Sequence, residues 1–260
     1  MRTWLNYFQD NRKNRVPVPW ERGIDIDSSL RRPLVRSLQK FQIGESGDGR
    51  RLRRHAAATG DPVYAAAIDL FIREEQEHAR LLGELLRLLD APLLTNHWSD
   101  NCFILLRHLF GLRQELMVLL LPEMIAKCYF CALRDGTDDS LLRAVAGQIA
   151  LDEEGHLAFH VDYLRRAFES MSFSRRILAQ VLWRVAFRAT CLAVLLDHRP
   201  LLRAVGLPPG GFWRDCGGIF DEVAASIFSP ARVLAPIHLA SDSNLPPLNL
   251  YDPRKMDRAL

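Results

Sequence analysis

The chain offers no disulfide framework. Its five cysteines, Cys102, Cys128, Cys131, Cys191 and Cys216, are odd in number and sit mostly among apolar residues, which suits reduced thiols and a cytoplasmic location. A secretory signal is also missing: residues 1–15 mix Arg2, Asp10, Arg12 and Lys13 with aromatics and never build an unbroken apolar stretch, so export is not expected. Strong charge of one sign is absent too. A formal charge of +3, with no basic stripe, argues against a nucleic-acid partner. The most apolar segment, Ile177 to Leu196, is broken by Gln180, Arg184 and Arg188 at intervals of four, which favours a helix packed on protein over a membrane span.

A 48% hydrophobic content over 260 residues is ample for a buried core. Residues 1–28 read as an irregular arm, because Pro17, Pro19 and Gly23 punctuate them and no period persists. Asp27 and Ser28 then offer an N-cap, and Leu34, Leu38, Phe41, Glu45, Asp48 and Leu52 step by three and four as one core-facing helix. Thr59-Gly60-Asp61-Pro62 supplies a terminal glycine, a cap and a first-turn proline for a tight turn into a second helix. The inner stripe of that helix runs Tyr64, Ile68, Phe71, Glu75, His78, Leu82, Leu85, Leu89. After a longer connection to about Asn101, a third stripe follows: Leu109, Leu112, Leu116, Leu119, Glu123, Ala126, Phe130, Leu133, with Pro122 expected to kink it. A turn at Asp135-Gly136-Thr137-Asp138 leads to a fourth: Leu142, Ala146, Ile149, Glu153, His156, His160, Tyr163, Ala167. Two short turns and one longer link fit an all-α four-helix bundle (29–170) with a crossover connection. Additional C-terminal helices (171–229) and an irregular Pro-rich tail (230–260) would follow it.

A carboxylate on a core-facing stripe must be neutralised, paired or bound to metal. Here all four stripes carry one, and the second and fourth add a histidine three residues on, which shares a helix face with its glutamate. Alone, a Glu-x-x-His pair is weak, since composition gives about 0.4 chance occurrences. The spacing is what strengthens it. Glu45 precedes Glu75 by the same 30 residues that separate Glu123 from Glu153, and Glu45, Glu75 and His78 recur 78 positions later as Glu123, Glu153 and His156. Equal distances from the hairpin turns bring each set to one level of the bundle. Glu115 is a rival to Glu123, on a rougher stripe that includes His108, Gly111, Val118 and Pro122.

These residues resemble the ferritin-like di-iron carboxylate superfamily, in which two helices give one Glu each and two give Glu-x-x-His. The resemblance covers residues 34–168. It implies a site of two iron ions, with manganese and iron as a variant pair. Glu45 and His78 would be terminal ligands of one ion, Glu123 and His156 of the other, and Glu75 and Glu153 bridges. Asp152, in Asp152-Glu153-Glu154-Gly155-His156, would orient a histidine of the opposite helix. His160 is either a seventh ligand or a hydrogen-bonded core histidine, and Gly44, Gly47 and Gly49 either leave room beside the metal or mark a kink. Cys128 and Cys131 read as small core residues. The implied activity is that of a di-iron oxidase or oxygenase acting on dioxygen and a small apolar substrate. An electron-donor protein and a homo-oligomer are compatible with it. The alternatives are a ferroxidase without organic substrate and a structural bundle that binds no metal.

Overall fold

The computed structural model describes residues 1–95 and 111–228. Among them every regular element is helical: α1 (Arg2–Lys13), α2 (Ser28–Glu45), α3 (Arg50–Ala58), α4 (Pro62–Leu88), α5 (Leu112–Asp135), α6 (Ser140–Glu169), α7 (Phe173–Ala204) and α8 (Pro209–Phe228), with a single 3-10 turn at Trp20–Arg22. The expected crossover link, Leu109, Cys102 and the tail 230–260 lie outside the described residues.

The hairpins follow from their caps. Asp27 accepts from the Ser29 amide at the start of α2, Asp61 from Val63 and Tyr64 at α4, and Asp139 from Leu142 at α6. Gly60 takes φ +74 at the α3–α4 turn, the left-handed conformation glycine adopts without strain. The helix α2 packs on α4 and α5 on α6, while α4 meets α6, so the four helices that carry the candidate ligands surround one core. The inward stripes are the expected ones: Leu34, Leu38, Ile68, Phe71, Leu116, Phe130, Leu142 and Ile149 are all buried.

Two expectations fail. Residues 1–28 are not an irregular arm, since α1 occupies 2–13 and docks on α4. Its inward stripe, Trp4, Phe8 and Asn11, ends on a polar residue, and the inward-reaching Arg15 lies just past the helix, so hydrophobic periodicity underreports it. Trp4 packs tilted and Phe8 edge-to-face on Phe159, with ring centroids 5.7 and 5.2 Å away, and burying each contributes roughly 1.5–3 kcal/mol. The second failure is the single helix through Leu52. It breaks at Ser46–Gly49 into α2 and α3, Asp48 faces solvent, and Gly49 sits at φ +63. Glycines at 44, 47 and 49 make continuation costly. A Cβ on Gly49 would also lie 2.6 Å from the Ile72 side chain.

The helices beyond Glu169 run longer than the sequence indicates. On one face α7 packs against α2, α5 and α8. By length and apolarity both α5 and α7 are sufficient to cross a membrane; 78% of the apolar stretch of α5 is buried in the core, but only 17% of that of α7.

Candidate metal centre

All six residues singled out by the 78-residue repeat converge. The ligand atoms of Glu75, Glu123, Glu153 and His156 lie within 4.8 Å of one another, and so do those of Glu45, His78 and Glu153. The two imidazole centroids are 5.5 Å apart. Glu75 and Glu153 each reach both rings: Glu75 Oε1 is 3.7 Å from His78 Nδ1 and 2.9 Å from His156 Nδ1, and the Glu153 oxygens stand 3.7 and 3.8 Å from the same atoms. That between-the-rings position is what a shared carboxylate requires. Glu123 Oε2 lies 3.5 Å from His156 Nδ1, and the Glu45 carboxyl stands beside that of Glu75. The rival Glu115 is buried elsewhere, paired with His55 Nδ1 at 2.5 Å and Arg51 at 3.8 Å.

Both histidines turn the same way. Nδ1 of each aims into the carboxylates, and Nε2 of each donates outward to an acid on the opposite helix: His78 to Asp152 at 3.1 Å, His156 to Glu74 at 3.0 Å. Such outer acids fix the ring tautomer and leave Nδ1 free to ligate. Asp152 accepts from His78 on the opposite helix, the pairing that the resemblance would use to orient that ring. Glu74, buried on α4, is its counterpart, and sequence reasoning missed it. The signal was available, since Glu74 precedes Asp152 by the same 78 residues that relate the ligands.

One side chain ties the two acids together. The Asn11 amide of α1 donates to Glu74 Oε1 at 2.8 Å and to Asp152 Oδ1 at 2.9 Å, while Arg15 pairs with Asp152 Oδ2 and Gln148 adds a bond at 3.1 Å. Gly155 makes this docking fit: a Cβ there would come within 2.2 Å of the Tyr7 hydroxyl of α1. His160 is buried one turn beyond His156 with its ring edge-on to Phe71 at 4.7 Å, and it belongs to neither group of converging ligand atoms. Cys128 and Cys131 are buried free thiols, as core residues would be.

Electrostatics set the inner acids apart from the outer ones. Burial and neighbouring carboxylates push Glu45 and Glu153 well above the ordinary range and raise Glu123. Burial also raises Glu75, but the imidazoles beside it, His156 foremost, outweigh it and bring Glu75 to about 2. For His156, burial is overcome by Glu75, Glu123, Glu153 and Glu74, which raise it well above its usual value. Asp152, likewise buried, is drawn down to about 2 by His78, Arg15 and Asn11. Yet Glu123 Oε1 and Oε2, Glu153 Oε2, Glu75 Oε1 and both Nδ1 atoms have no aligned hydrogen-bond partner. Buried polar atoms seldom stay unmatched. Here the unmatched atoms all face one point, so this buried Glu/His cluster can hold metal ions. Four carboxylates with two neutral imidazoles balance the charge of two divalent cations.

The opposite side of the cluster is open. A cavity of about 180 Å³ reaches Glu45, Glu75, Glu123 and Glu153 and is otherwise mainly apolar, with Phe41, Leu52, Phe71, Ile72 and Leu119 in its wall. Its rim includes Gly44, Gly47 and Gly49, where α2 breaks, and Val194 and His198 of α7 close the far side. The chain matches no family model, no curated protein and no solved structure.

Proposed function

We propose that the cluster binds two iron ions in a ferritin-like bundle and that the protein is a di-iron oxidase or oxygenase acting on a small apolar substrate. The observation that carries the proposal is the set of six converging ligand residues, with both imidazole Nδ1 atoms turned inward and both Nε2 atoms committed to outer acids. Carboxylate and imidazole donors without a thiolate suit iron or manganese rather than a closed structural zinc site. Glu45 with His78 and Glu123 with His156 would each serve one ion, and Glu75 and Glu153 would serve both. A bound ferrous pair supplies electrons for reducing dioxygen.

The protein's own contribution is positional. Asp152 and Glu74 hold the two imidazoles against rotation, and α1 shields that side from water. The apolar cavity, comparable in size to one that holds a benzene-sized ligand, orients a substrate beside the carboxylates. Glu45, partly accessible at the last position of α2 beside the break, is the ligand best placed to move when substrate enters.

The test is to load the purified chain with ferrous iron, count iron per chain, and follow oxygen uptake with and without small apolar substrates. Two irons per chain with substrate-dependent oxygen uptake and an oxidised product support the proposal. Continued uptake of iron beyond two, without organic product, indicates iron handling instead, and no binding leaves a structural bundle.

A further inference from the structure

The outer face of α7 takes no part in the site. Its inner face, Trp183, Phe187, Cys191, His198, Leu201 and Leu202, is buried against α2, α5 and α8. Outward, Leu178, Leu182, Val185, Leu192 and Leu196 are 46–62% exposed, and Ala189 is exposed with them. These six positions advance by four, three, four, three and four, the seam of a coiled coil, whose partner is another helix. Ala179, Ala186 and Ala193 flank the seam every seventh residue and let a helix axis come close.

We propose that this face is a homodimer interface in which α7 pairs antiparallel with α7 of a second copy. The pattern is self-complementary, as a two-fold interface must be. Leu178 and Leu196, Leu182 and Leu192, and Val185 and Ala189 are each symmetric about position 187, so an antiparallel copy sets every seam residue opposite its counterpart. With Ile177 and Val181 beside them, the exposed large side chains amount to roughly 700 Å² per protomer, near the roughly 800 Å² of a standard interface. A patch of that size is unusual on a monomer. A lipid surface fits less well. Arg188 is exposed beside the middle of the seam, where hydrocarbon would cost several kcal/mol to enter but the edge of a helix pair leaves it in water.

This interface is independent of the metal reading, and full-length protein tests it. Sedimentation should give twice the 29.7 kDa chain mass. Leu182→Glu and Val185→Glu should each weaken dimerisation at least about a hundredfold, with helicity and metal content unchanged because both side chains point away from the core. Chains carrying Leu182→Cys should cross-link to chains carrying Leu192→Cys, and neither should cross-link to itself. A wild-type monomer at all concentrations, which would mean that residues 229–260 or nothing covers the face, overturns the proposal. So does a dimer indifferent to both glutamates, or a monomer that sediments with phosphatidylcholine/phosphatidylglycerol vesicles.

Discussion

The cluster has two unlike faces. Toward α1, α4 and α6 the imidazoles are locked: Asp152 and Glu74 each hold one ring, and Asn11 bridges both acids. Toward α2, α5 and α7 the carboxylates meet an apolar cavity rimmed by glycines, and Glu45 and Glu75 keep part of their surface accessible. In the proposed function the closed face would position ligands and the open one would admit a substrate beside them. A site meant only to stiffen the fold needs no second, open face.

The largest effect should come from the residue common to both groups of ligand atoms. Glu153→Ala is expected to abolish metal binding, not merely halve it, as read by metal analysis after dialysis. A variant that keeps both ions would show that Glu153 is not shared. Next come the closed-face acids. Asp152→Asn should weaken metal affinity by roughly 10–100-fold, and Asn11→Ala should act in the same direction on both ions, because it touches the partners of both histidines. Unchanged affinities by competition with a chelator would reduce α1 to packing.

Gly155→Ala forces a methyl into Tyr7 and should cost about 1–3 kcal/mol by denaturant unfolding. A neutral result would mean that α1 docks loosely.

Acidity offers a softer probe of the same contrast. Glu45, Glu123 and Glu153 have raised values in the fold, so without metal the folded state holds protons that the unfolded chain releases. Their effect weakens the fold as pH rises above the ordinary carboxylate range, and the stabilisation from His156 is likewise lost as pH rises. Glu75 and Asp152, at about 2, work in reverse and matter only as pH falls toward that value. Metal-free protein should therefore melt lower at pH 8 than at pH 5, and the gap to metal-loaded protein should widen with pH. A constant gap in thermal melts would contradict the buried, proton-sharing acids.

The smallest change belongs to the open face. Gly44 is helical, exposed and unobstructed, so Gly44→Leu should raise stability by about 0.5–1 kcal/mol while narrowing the mouth. Metal content should stay fixed and the KM for substrate should rise; a loss of metal would place Gly44 in the ligand framework instead.

The ligand helices were legible because the inward positions on each obey one period, and a lone acid among apolar neighbours is too costly to bury without a cation or a partner. The helix α1 was not, because Asn11, and Arg15 just past the helix, reach inward to meet buried acids that only the folded chain assembles. The break after Glu45 was visible as three glycines, yet the apolar step to Leu52 survives it by chance of register and reads as continuity. Glu74 lay one position from a recognised ligand but points to the other hairpin. That cross-partnering is a property of the bundle, visible in sequence only through the repeat that pairs it with Asp152.

The most direct test is anomalous diffraction from crystals of the iron-loaded protein. The account predicts two peaks about 3.5–4 Å apart, lying between Glu75 and Glu153, with Nδ1 of His78 on one and of His156 on the other. A single peak, or metal bound only elsewhere on the surface, would contradict it.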